Sequence, residues 1–149
     1  MNEMEARVSR PRTPVHLWIV GVLTLLWNMM GAFDYLATEL RFDAYMSQFS
    51  QEQLDYFYGF PWWAVAAWAI AVWLALAGSI TLLLRRKWAV CLFGTSFLGL
   101  IVTTIYNFGL SNGAELMGTG AVIFTFFIWL IAIFLVLYSW WLTKKGVLA

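Results

Sequence analysis

Charge is scarce in this chain. Asp, Glu, Lys and Arg make up only 11% of its 149 residues, against about a quarter in a typical soluble domain. Cysteine occurs once, at Cys91, so neither an intrachain disulfide nor a cysteine-based zinc set is available. Histidine occurs once, at His16, too few for a histidine metal pair and without the partners of a catalytic triad. No basic run is long enough for a nucleic-acid footprint. No acid, base, nucleophile and metal set gathers at one depth, so an enzyme is not expected. Asp34 and Glu39, the nearest pair of acids to an apolar run, are five residues apart and point to different faces of a helix. No resident cofactor is expected either.

Apolar sequence fills the space that charge leaves. The chain is 62% hydrophobic and holds ten tryptophans. Four long apolar runs, at about 15–36, 61–84, 88–110 and 121–142, each meet the roughly 20 residues that an α-helix needs to cross a bilayer. Too little chain remains for a separate soluble domain. The expectation is one all-α membrane domain over residues 1–149, a bundle of four transmembrane helices with short amphipathic helices in its first outer loop, 37–60.

The few charges are sorted by side. Arg7, Arg10 and Arg12 precede the first run, Arg85, Arg86 and Lys87 lie between the second and third, and Lys144 and Lys145 follow the fourth. The two remaining connections hold Arg41 against Glu39, Asp43, Glu52, Asp55 and Glu115. Basic residues near span ends stay cytoplasmic, so both termini are expected inside. The first run is too long for a signal-peptide core and lacks a cleavage pattern, so it is expected to remain as a helix. Spans 1–2 and 3–4 would share one orientation, which excludes an inverted repeat within the chain.

Within the spans, polar and small residues fall into stripes. Gly21, Thr24, Asn28, Gly31 and Tyr35 share one face of span 1 at alternating three- and four-residue spacing. Ala67, Ala71, Ala75 and Ser79 repeat every four residues in span 2, a seam for close helix contact. Ser96, Gly99, Thr103 and Asn107 line one face of span 3, with Thr104 beside it. Span 4 carries only Thr125 and Ser139 as polar residues and is the expected lipid-facing helix. Its outer connection, 111–120, reads as a short glycine-rich loop. Trp18, Trp62, Trp63, Trp88, Trp140 and Trp141 sit where interfacial belts occur. In the first outer loop, Phe42, Tyr45, Met46 and Phe49 follow helical amphipathic spacing. Ser50 and Gln53 fit a capping box opening a second short helix. Both helices are expected to rest on the outer leaflet or cap the bundle.

The candidate site residues come from these stripes. Asn28 lies deep, and its amide needs partners that Ser96, Thr103 or Asn107 could supply. Asp34 lies about six residues, or about 9 Å, further along the axis, where it is either wetted at the interface or paired with Arg41. Trp27 beside Asn28 could stack on a ligand. Thr24, Trp27, Asn28, Asp34, Ser96, Thr103 and Asn107 form the candidate substrate-binding set.

The segments LWNMMGAFDYL (26–36), YFYGFPWW (56–63), LLLRRKWAV (82–90) and GTGAVIF (118–124) carry a resemblance. Over nearly its full length the chain resembles small four-span bacterial inner-membrane proteins often labelled sugar transporters. Its layout, with a Gly-x-Pro lead into span 2 and a basic turn before span 3, is also similar to DoxX-like proteins. The resemblance implies a bacterial inner-membrane location and transport of a small neutral solute, and names no site residue. Without deep charge an ion-coupled pump is not expected. Four helices enclose little volume, so a path would call for a homo-oligomer. The other reading is a non-transporting accessory or assembly subunit that docks a partner membrane protein through the span 2 seam and the outer helices.

Overall fold

In the computed structural model, residues 11–149 are described; the expected basic flank at Arg7 and Arg10 lies outside them. The described chain is helical throughout, without a strand. Four of its helices are long and apolar enough to cross a membrane, and the protein is a multi-pass membrane protein. In chain order the elements are α1 (Val15–Glu39), α2 (Asp43–Met46), α3 (Gln51–Tyr58), α4 (Trp62–Leu83), α5 (Trp88–Ile105) and α6 (Gly113–Lys144). One π turn, Tyr106–Leu110, continues α5.

Lipid solvates no backbone amide, so each spanning segment must satisfy its own. The ends of these helices follow the same logic. Three of them close with the two crossed bonds of a Schellman turn. Phe42 N–H donates to Ala37 O and Arg41 N–H to Thr38 O. Arg86 N–H donates to Thr81 O and Arg85 N–H to Leu82 O. Val147 N–H donates to Leu142 O and Gly146 N–H to Thr143 O. The pivots are Arg41, Arg85 and Gly146, all at positive φ.

The helices are threaded through α4 and α5. Gly99 of α5 sits so close to α4 that a Cβ there would lie 2.7 Å from Ala67 O and 2.9 Å from Ala71 N. The small-residue seam of span 2 is what permits this approach. On its other side α4 meets α1, where a Cβ on Gly21 would fall 2.4 Å from Leu83 Cδ2. Helix α6 packs on α5 and, at the basic end, on α1. Gly113, Leu135, Ser139 and Leu142 are its buried residues.

Packing is concentrated at the end that carries the basic turns. Leu17, Leu82, Ala89, Phe93, Leu135, Leu142, Val147 and Leu148 form one buried cluster there. The chain after α6 folds back onto the turn before α5: Lys87 N–H donates to Ala149 O, Ala149 N–H to Arg85 O, and Arg85 Nε to Val147 O. His16 Nδ1 meets the Tyr138 hydroxyl across α1 and α6. His16 is exposed. Cys91 of α5 is also exposed.

Toward the opposite end the helices part, and α2 and α3 fill the mouth. Two details differ from the sequence reading here. The amphipathic stretch 42–49 holds only the single turn of α2, while the Ser50–Gln53 capping box forms and opens α3. The connection 111–120 is not a loop. Helix α6 begins at Gly113 and is broken at Gly118, where φ is 80° and ψ is −178°. That backbone region is open essentially to glycine alone. The break turns the first residues of α6 over the cap, where Gln53 Nε2 donates to Leu116 O at 3.1 Å.

Candidate functional site

Where the helices part, they enclose a cavity of about 470 Å³, within the roughly 300–1,000 Å³ of small-molecule sites. Along α5 its wall runs from Phe93 to Phe108, about 22 Å of helix. Its deep end rests on Phe93 and Leu135 of the buried cluster. Its other end, away from the basic turns, lies beneath Tyr45, Phe49, Tyr56 and Phe57 of the cap.

Six of the seven candidate residues line this cavity: Trp27, Asn28, Asp34, Ser96, Thr103 and Asn107. Thr24 does not. It lines a separate apolar groove between α1 and α6, with Val20, Leu23, Trp27, Ile131 and Phe134. Its hydroxyl donates back to Val20 O at 2.7 Å.

Asn28 finds its partners on α4, not on α5. Its Nδ2 donates to Ser79 Oγ at 2.7 Å and to Ala75 O at 3.1 Å. A carbonyl can only accept, so the Ala75 contact fixes which way the amide points. Every buried side-chain N or O atom among the described residues has a partner. The carboxamide oxygen, with no protein donor, therefore faces the cavity as an open acceptor. The seam serves two purposes: its small side chains admit α5, and its last member, Ser79, takes the amide of α1.

Asp34 is partly exposed and is not paired with Arg41. Its Oδ1 accepts the hydroxyl of Tyr45, which reaches down from α2. Arg41 instead lies over the Tyr58 ring, its guanidinium carbon 4.2 Å from the centroid. Burial, then the hydrogen bond to Asp34 and the charge of that carboxylate, push the Tyr45 phenol up to about 12. The phenol therefore stays a donor at any physiological pH. Asp34 is the one formally charged side chain in the wall; no Lys, Arg or His lines it among the described residues.

The remaining polar groups of the wall are partly committed. Ser96 Oγ donates to Ala71 O, Thr103 to Gly99 O, Thr104 to Leu100 O and Thr125 to Ala121 O. Tyr56 donates to Asn107 Oδ1 at 2.6 Å and meets Ser111 Oγ at 2.8 Å. Burial pushes the Tyr56 phenol up as well, offset in part by the Ser111 hydroxyl. Apart from Thr38, whose hydroxyl donates to Asp34 O at 2.7 Å, the rest of the wall is apolar and strongly aromatic: Trp27, Trp68, Phe49, Phe57, Phe60, Phe93, Phe108 and Phe124 all contribute.

Sequence reading missed the cap residues Tyr45 and Tyr56, together with Thr125 and Trp68. The signal for Tyr45 was present in its amphipathic spacing. An apolar face that covers a bundle and one that lies on lipid have the same period, so the pattern could not say which it met. No known protein family, curated protein or solved structure matches the chain.

Proposed function

We propose that this protein is a transporter of a small organic solute, with the cavity as its binding site. Its place is the bacterial cytoplasmic membrane, as the resemblance implies, with both termini in the cytoplasm, as the basic flanks argue. The observation that carries this reading is the depth of the cavity. It extends from the cap past Asp34 to Asn28 and beyond, and hydrogen-bonding groups from α1 and α5 face into it. A bundle built only to dock a partner has no use for a void of about 470 Å³, because unfilled interior volume lowers stability. The cavity lies within one chain, so a second copy is not needed to form it. Leu17, Leu82 and Leu142, all fully buried, close the basic end. In an alternating-access cycle this conformation would be the outward-facing or occluded member.

Cysteine accessibility tests this in membrane vesicles. Cys91 is first replaced by serine, and Thr103→Cys is introduced into the cavity wall. A membrane-impermeant thiol reagent should label it from the outer side, and more slowly from the cytoplasmic side as the minor conformation opens. Labelling from one side only would reduce the protein to a binding protein. No labelling from either side would end the transport reading and favour an accessory subunit.

A further inference from the structure

We infer that the cavity selects an organic cation: an apolar body carrying a protonated amine. The inference rests on reading the cavity as a solute site and adds the chemical class of the solute. It follows from counting donors and acceptors. A hydroxyl has one hydrogen to donate and two lone pairs. Ser96, Thr103, Thr104 and Thr125 each spend that hydrogen on a backbone carbonyl, which leaves only acceptor capacity for a ligand, and Thr104 has already given one lone pair to the Trp129 indole N–H at 3.0 Å. The amide nitrogen of Asn28 is held by Ala75 and Ser79, which leaves its oxygen. Asp34 accepts from Tyr45 through Oδ1 and has Oδ2 to offer.

The wall therefore presents acceptors in excess. The side-chain donors left are the Asn107 amide nitrogen and the indole N–H groups of Trp27 and Trp68. A ligand rich in acceptors, such as a carboxylate, would meet lone pairs with its own lone pairs. A ligand that brings N–H groups would satisfy them. Among the described residues, the single formal charge of the wall is negative and no base lines it. Aromatic faces around it attract cations through their quadrupoles, more strongly where water is excluded. Charge, hydrogen-bond polarity and ring faces agree on one class of ligand, and the largely apolar wall supplies the contact for its body.

The test uses the full chain in detergent, with intrinsic tryptophan fluorescence as the readout and three probes that share one body: phenylbutylammonium, phenylbutanol and phenylbutyrate. The ammonium should bind about tenfold or more tighter than the alcohol, because charge-assisted hydrogen bonds are about twice as strong as neutral ones. The carboxylate should bind weakest. Asp34→Asn should remove most of the preference for the ammonium, and Asp34→Glu should keep it. Equal or tighter binding of the alcohol overturns the inference and leaves the cavity as a site for neutral solutes. So does an Asp34→Asn protein that keeps the ammonium preference. Failure of all three probes to bind counts against both the inference and the solute-site reading. If Asp34→Asn does not fold, the order of the three probes on the unaltered chain still decides.

Discussion

At the scale of single residues, two side chains of α1 hold the site together in different ways. Asn28 ties α1 to α4. Hydrogen bonds between membrane helices contribute on the order of 1 kcal/mol each. A double-mutant cycle of Asn28→Ala with Ser79→Ala should therefore return a coupling of about 1 kcal/mol in detergent unfolding. A coupling near zero would mean that the 2.7 Å contact adds nothing to the fold. Asp34 ties α1 to the cap through Tyr45. The Tyr45 phenol lies above its ordinary value of 10.0, at about 12. The sign follows from linkage: the folded state holds the proton more tightly, so this contact is intact below pH 10.0 and is lost as pH rises through about 12. An ultraviolet titration should show one late-ionising tyrosine that disappears in Tyr45→Phe. Spacing alone put Asp34 at the membrane boundary, because depth counted along one helix says nothing about a tyrosine folding down from the next.

At the scale of elements, glycine and small residues set how near the helices come. The α4–α5 contact tolerates no side chain at Gly99, since the colliding atoms are backbone and cannot turn away. Gly99→Ala should cost about 1–3 kcal/mol, the range of overpacked cores, measured as a lower midpoint in detergent unfolding. Gly118 has open space around it but an unusual backbone, with φ 80°. Gly118→Ala should cost about 1–3 kcal/mol through strain alone and loosen the Gln53–Leu116 contact that holds the cap. Protease nicking within 111–120 reports that loosening. These elements also mark the limit of what could be read from sequence. The stripes of α1, α4 and α5 told which faces turn inward, and the capping box of α3 was legible because a cap is a local arrangement. Which inward face meets which was not legible. Periodicity carries no information about neighbours, so Asn28 was matched with α5 when α4 stood beside it. The break at Gly118 was hidden for a similar reason: a glycine-rich stretch reads as a loop unless the packing that folds it over the cap is known.

For the molecule as a whole, the uneven distribution of packing is the central property. The cluster around Leu17, Leu82 and Leu142 seals the basic end, and the cavity occupies the other end. A transporter needs the seal to be real yet breakable. The side chains that form it are apolar and packed between helices, so they can part without exposing an unpaired ion to lipid. The chain after α6 lies across the same end, bonded to the Arg85–Lys87 turn, and adds to the closure. Leu142→Ala removes the side chain that α6 contributes at the seal. Buried Leu→Ala changes cost about 2–5 kcal/mol when both conformations bury the residue. If Leu142 is buried only in the sealed conformation, the change should instead shift the balance between conformations. Labelling of Thr103→Cys from the cytoplasmic side should then rise several-fold while labelling from the outer side falls. A protein that is merely less stable would show faster labelling from both sides at once, and that result would place Leu142 in the general core and not in a gate.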